Sequence, residues 1–276
     1  MTDTTGDRLT HLPLAAAQLG YLSARPKMIA AACVIVFAAL GWAYLGLMVG
    51  GEWGGLPAAL VDALCRTSSV NTDAATFTLV LSMWSAMALA MMLPSAAPMI
   101  LTYAEIADTA ARKGEPIVSP FALASGYAAV WLVFALAAAM LQTLLMRTSL
   151  LDAGITSGLF SGAIFIAAGL YQFSALKHAC LTQCQQPFPF FFANWATTQR
   201  GVFRLGLKQG VYCLGCCWAM MLVMFATGAM NVIWMATFGA VMTIEKMSPG
   251  PRFSRAAGIV LIAIGGVFAI TAVAGH

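Results

Sequence analysis

Long apolar segments recur along the whole chain and constrain its fold more than any other feature. Segments such as residues 28–49 and 121–146 contain no Asp, Glu, Lys or Arg. Each is long enough to cross a bilayer core of about 30 Å at about 1.5 Å per helical residue. Because the segments are continuous rather than alternating, they indicate helices, which satisfy their own backbone hydrogen bonds in lipid. With only 9% charged residues, an ordinary soluble domain is excluded.

The apolar segments predict an all-α fold, a polytopic transmembrane helical bundle with about seven spans. The predicted spans cover residues 28–49, 76–104, 121–146, 156–176, 208–227, 230–246 and 255–274. The division of residues 208–246 stays open between one long span and two, with a break at Thr227 to Asn231. Residues 1–27 form a predicted cytoplasmic tail in which residues 11–25 weakly resemble a segment lying on the membrane surface. Residues 28–276 form a single predicted transmembrane domain.

The basic residues predict the orientation of this bundle. Twelve of the 14 Lys and Arg residues fall in the N-terminal tail and in the three loops on its side, and only Arg66 and Arg147 fall on the other side. The positive-inside rule therefore predicts a multi-pass protein whose N-terminus lies in the cytoplasm. The net charge of +4 orients the protein in its predicted partner, the lipid bilayer, and does not indicate nucleic acid.

Five of the seven cysteines form two clusters on the predicted cytoplasmic side. Cys180 and Cys184 follow the fourth span, and Cys213, Cys216 and Cys217 lie at the predicted start of the fifth. In helices these spacings place each cluster on one face. Because the cytoplasm keeps thiols reduced, the clusters indicate a metal or redox site rather than disulfides, although buried cysteine is also ordinary packing. His178 is a candidate nitrogen ligand, and the predicted ion is Cu(I) or Zn(II).

Two further features of the apolar segments concern packing. Pro94 and Pro98 lie in the second span, where each removes a backbone donor and predicts a kink. Met83, Met87 and Met91 repeat every four residues in the same span. Such a methionine stripe is typical of adaptable packing, although its thioethers are also soft metal ligands.

The segments "AMMLPSAAPMI", "GVYCLGCCWAMM" and "GAMNVIWMA" resemble a bacterial family of predicted metal-binding integral membrane proteins, domain of unknown function 2182. The resemblance extends from about Trp84 to Lys246. It implies that Pro94 and Pro98, together with Cys213, Cys216 and Cys217, are the candidate residues, and Cys180 and Cys184 match less closely. It implies no substrate.

Three hypotheses follow from these residues. The first is a non-enzymatic membrane protein that binds copper or zinc for handling or transport, with a membrane protein or metal chaperone as its partner. Its ligands would be Cys180, Cys184, Cys213 and Cys216, with Cys217 or His178 as a substitute. The second is a membrane thiol oxidoreductase, in which Cys213 and Cys216 form a redox-active C-x-x-C pair and the helix N-terminus lowers the pKa of a thiolate. The third is a non-catalytic subunit or scaffold whose cysteines only pack.

Overall fold

The computed structural model describes residues 26–49, 74–114, 118–147, 158–227, 232–248 and 250–274. Within these ranges the chain is helical and contains no strand, which confirms the predicted all-α fold. The helices are α1 (Pro26–Val49), α2 (Ala74–Arg112), α3 (Pro120–Arg147), α4 (Gly158–Tyr171), α5 (Ala175–Gln185), α6 (Pro187–Ala193), α7 (Gln199–Thr227), α8 (Val232–Met247) and α9 (Arg252–Ala274). The predicted surface segment 11–25 lies outside the described residues.

Four of the described helices are long and apolar enough to cross a membrane. They are Phe77–Ala110, Pro120–Leu144, Gln199–Thr227 and Arg252–Val273, and the bent pair α4 and α5 makes a fifth if it is one span. Helix α8 has 16 residues, so that it rises only about 24 Å. The number of seven spans and the orientation therefore stay predictions. Residues 208–246 form two helices, although the break at residues 228–231 lies outside the described residues.

The fourth predicted span, residues 156–176, is not one straight helix. Helix α4 ends at Tyr171, and α5 continues after a bend of 64°. Ser174 caps α5, because its side chain accepts a hydrogen bond from the backbone nitrogen of Lys177 at 3.1 Å, a favourable start for a helix. The bend turns α5 across α7, against which it packs.

Helix α7 begins earlier than its apolar segment suggests. It starts at Gln199 rather than at residue 208. Arg200, Arg204 and Lys208 can belong to the helix because they recur every four residues and lie on one exposed face. The opposite face, with Val202 and Leu205, is buried, so that this part of the helix is amphipathic. A prediction from hydropathy starts the helix after these charged residues, whereas the actual helix includes them.

Glycines bring α3 and α7 into direct backbone contact. A Cβ atom on Gly206 would stand 2.1 Å from the carbonyl oxygen of Leu123, and one on Gly126 would stand 2.2 Å from that of Phe203. Close approach through small residues is a common way for membrane helices to pack. The contact fixes the rotation of α7 and therefore the direction in which its cysteines point.

Candidate metal centre

Three thiols of α7 form a compact buried group. The sulfur atoms of Cys213, Cys216 and Cys217 all lie within 4.8 Å of one another, and each residue is 1% exposed. The Sγ atoms of Cys216 and Cys217 are 3.3 Å apart. All three cysteines are free thiols. The spacing of three and four residues along a helix explains why they share one face.

The group lies in the middle of α7 and not at its start. Cys213 follows Gln199 by 14 residues in a helix of 29, which places it about 21 Å along the axis. The expectation that these cysteines open a helix is wrong, because the helix continues through the charged residues 200–208. The activation by a helix N-terminus on which the oxidoreductase hypothesis depends is therefore absent at Cys213.

The second cysteine segment meets the first through α5. Gly215 leaves room for Cys180, because a Cβ on Gly215 would stand 2.7 Å from the Cys180 sulfur. The Cys184 thiol interacts with the thiols of Cys213 and Cys216. Cys180 and Cys184 are half-buried, so the thiols become more buried from α5 to α7. The structure thus brings both predicted cysteine segments together, and their role as ligands stays a prediction.

His178 differs from the cysteines in its placement. It lies on α5, two residues before Cys180, and side chains with this spacing do not share a helical face. Among the described residues, the group of possible ligand atoms within 4.8 Å comprises the three α7 cysteines alone. The structure therefore adds no support for His178 as a ligand, which stays a prediction.

A buried lysine contacts the thiol group from α8. Lys246 donates from Nζ to the sulfur of Cys213 at 3.0 Å and to the hydroxyl of Ser95 at 2.7 Å. The Tyr127 hydroxyl lies 3.0 Å from the same sulfur and donates to the carbonyl oxygen of Met92 at 3.2 Å. Cys213 is therefore the thiol at which α2, α3, α7 and α8 meet.

Lys246, Ser95 and Tyr127 were not among the residues predicted from the sequence. The charge pattern placed Lys246 among the loop charges that orient the protein, whereas its side chain is buried. Two signals were available in the sequence. An adjacent Glu245–Lys246 pair ends an apolar helix, and a tyrosine within an apolar span needs a partner for its hydroxyl.

A buried ion pair fixes α5 against α8. Lys177 and Glu245 are joined by a contact of 2.8 Å, and their side chains are 0% and 1% exposed. Ser254 of α9 donates to the other carboxylate oxygen. Gln185 donates from Nε2 to the backbone oxygen atoms of Glu245 and Ser248. These bonds hold the α5 cysteines and Lys246 at the same level of the bundle.

The prolines of α2 lie beside this centre. The helix is continuous through Pro94 and Pro98, and Pro98 is exposed. Ser95, between them, donates to the carbonyl oxygen of Met92 at 2.8 Å and accepts from Lys246. The proline-containing turn therefore supplies the hydroxyl that holds the ammonium group in place.

The methionines pack around the centre as a buried layer. Met83, Met87 and Met91 of α2 are 0–2% exposed, and so are Met220, Met221 and Met224 of α7. Their burial agrees with the packing role that the methionine stripe predicts.

The chemistry of the donor set fits a soft metal ion. Three free, buried thiols suit Cu(I), which prefers soft sulfur ligands and accepts few of them. Tetrahedral zinc would need a fourth ligand, and among the described residues no fourth ligand atom joins the three sulfur atoms within 4.8 Å. The three cysteines can therefore bind Cu(I) without any further ligand.

Comparison with known proteins points to the same metal. A family model described as "PpoB2: Copper chaperone" matches residues 81–268, which is more than half of the 276-residue chain and includes both cysteine segments. The match supports the prediction, made from the sequence resemblance, that the chain belongs to a metal-related family. No curated protein and no solved structure matches the chain.

Proposed function

The chain belongs to the PpoB2 copper chaperone family, and from this premise we propose that it carries Cu(I) on a buried thiol centre within a membrane. The ion would be held by two or three of Cys213, Cys216 and Cys217. The observation that carries this proposal is the convergence of their sulfur atoms within 4.8 Å. Copper is its cargo rather than a resident cofactor.

The second cysteine segment supplies a route to this centre. Cys180 and Cys184 are less buried than the α7 cysteines, and Cys184 interacts with two of them. Copper would therefore first meet the α5 thiols and then move inward by ligand exchange. In each exchange an incoming thiolate forms a Cu–S bond as an outgoing sulfur leaves, so that the ion is never released into water. Movement in the reverse direction would deliver it to a partner.

The membrane placement is part of the proposal. Four or five of the described helices have the length and composition of membrane spans. We propose seven spans in the bacterial inner membrane, with α1 and α8 completing the bundle. The N-terminus would be cytoplasmic, because twelve of the 14 basic residues lie on its side. Copper would then enter and leave through thiols near the cytoplasmic leaflet. Reporter fusions at residues 1 and 276 test this arrangement, because seven spans place the two termini on opposite sides.

Metal quantification tests the cargo and the site. The full chain is purified in detergent under reducing conditions, loaded with Cu(I) and freed of excess metal. We expect wild type to retain one copper ion and the triple variant Cys213→Ser, Cys216→Ser, Cys217→Ser to retain none. Cys65→Ser is the matched control, because Cys65 belongs to neither cysteine segment. Equal copper content in wild type and the triple variant would refute the site. A preference for zinc over Cu(I) in competition would refute the cargo.

A further inference from the structure

The buried charges near the thiol centre do not balance. Among the described residues, the buried charged side chains are Lys177, Glu245 and Lys246. Glu245 forms its ion pair with Lys177, and Lys246 has no carboxylate partner in the part of the chain that the structure describes. Its Nζ atom contacts instead the Cys213 sulfur and the Ser95 hydroxyl. The ammonium group of Lys246 therefore lies directly against the thiols.

An isolated charge is costly in such a place. Transfer of an ammonium group from water into an apolar interior carries a large desolvation cost, which only a nearby anion and hydrogen bonds offset. The Ser95 hydroxyl supplies a hydrogen bond but no charge. The anion closest to Lys246 that the site can provide is the thiolate of Cys213. The same requirement holds when a metal ion is bound, because the ammonium group remains buried.

We propose that Lys246 is the fixed counter-charge of the metal centre and that it limits Cu(I) to two thiolates. This inference rests on the proposed function and adds the charge and coordination of the bound ion. Two thiolates and one Cu(I) carry a net charge of minus one, which the ammonium group neutralises. A third thiolate would leave the buried centre negative. A divalent ion on two thiolates would leave it positive.

The assignment gives the three cysteines different roles. Cys213 is one ligand, because it contacts Lys246. Cys216 or Cys217 is the second, and the remaining cysteine does not bind the ion. Because Cys216 and Cys217 are 3.3 Å apart at their sulfur atoms, the unbound sulfur lies beside the bound one, where it can replace it in a ligand exchange. Lys246 is thus a positioning residue, which acts on the ion through the thiolate.

The experiment measures copper coordination and affinity in the full chain. X-ray absorption of wild type loaded with one Cu(I) should show two sulfur ligands. Lys246→Met keeps the length of the side chain and removes its charge, and Lys246→Arg keeps the charge. Competition with a chromophoric Cu(I) chelator should show at least a tenfold weaker Kd for Lys246→Met, and a change of less than threefold for Lys246→Arg. Lys208→Met is the matched control, because Lys208 is an exposed lysine of α7, and its Kd should not change.

The outcomes separate this inference from the proposed function. If wild type binds no Cu(I), the proposed function fails. If wild type binds Cu(I) through three or four sulfur atoms, the function stands and the assignment to Lys246 is overturned. It is also overturned if Lys246→Met binds Cu(I) as tightly as wild type. The sulfur count uses wild type alone, so that a folding defect in the Lys246→Met variant leaves the inference testable.

Discussion

Lys177 of α5 and Glu245 of α8 form an ion pair of 2.8 Å in which both side chains are excluded from solvent. The pair joins the helix that carries Cys180 and Cys184 to the helix that carries Lys246. The structure of the centre therefore depends on a contact between two residues that bear none of its thiols.

Removal of one partner of this pair should destabilise the protein strongly. Lys177→Met leaves the Glu245 carboxylate buried without its cation, and breaking a buried pair in this way costs about 3–5 kcal/mol. We expect Lys177→Met combined with Glu245→Leu to recover most of that loss, because it leaves no uncompensated charge. Unfolding in mixed detergent and denaturant measures both effects.

The exposed pair Arg112 and Asp108, with a contact of 2.7 Å, is the matched control. Because exposed pairs contribute about 0–1 kcal/mol, Asp108→Asn should change the free energy of unfolding only slightly. A similar small effect for Lys177→Met would contradict the structural role of the buried pair.

Gly215→Ala should separate the two cysteine segments. The added methyl group would stand 2.7 Å from the Cys180 sulfur, so α5 must shift. Overpacking of this kind costs about 1–3 kcal/mol. We expect copper to remain on the α7 thiols, whereas alkylation of Cys180 becomes faster. Peptide mapping after a timed alkylation measures the rate.

Gly46→Ala is the control for this substitution, because nothing lies within 4 Å of a Cβ at Gly46. Alanine in a helix interior is favoured over glycine by about 0.5–1 kcal/mol, so that this variant should not lose stability. Unchanged alkylation of Cys180 in Gly215→Ala would show that the two segments do not depend on this contact.

The thiols should react in the order of their burial. In the metal-free protein, we expect Cys180 and Cys184 to be alkylated before Cys213, Cys216 and Cys217, which are each 1% exposed. Bound Cu(I) should protect the α7 thiols further, because the sulfur lone pairs are then engaged. Mass spectrometry of peptides from both states gives the order, and early alkylation of Cys216 would contradict the described burial.

Tyr127→Phe should weaken copper binding without unfolding the protein. The change removes the hydroxyl that lies 3.0 Å from the Cys213 sulfur and leaves the ring in place. The loss of one such hydrogen bond costs about 0.5–1.5 kcal/mol, which corresponds to at most about a tenfold increase in Kd. Competition with a Cu(I) chelator measures it. Tyr212→Phe is the control, because Tyr212 is half-buried on α7, the helix that carries Cys213. Equal affinities for Tyr127→Phe and wild type would show that the hydroxyl does not support the thiolate.

The helical fold follows from local properties of the sequence. Apolar segments such as residues 121–146 predict a helix from length and hydropathy alone, and α3 covers Pro120–Arg147. The same criterion misplaced the start of α7, because it treats Arg200 and Arg204 as loop residues. Their exposed face is balanced by a buried one, and hydropathy averaged along the chain does not register that difference.

The sequence by itself determined that the chain is helical and that its sulfur is clustered, because hydropathy and spacing along a helix are local properties. Only the tertiary structure decided that Lys246 contacts Cys213 and that Glu245, its neighbour, pairs with Lys177. Adjacent residues on a helix point about 100° apart, so which partner each one meets depends on the rotation and packing of other helices. Because of that packing, Lys246, which the charge pattern placed in a loop, is the buried cation of the thiol centre.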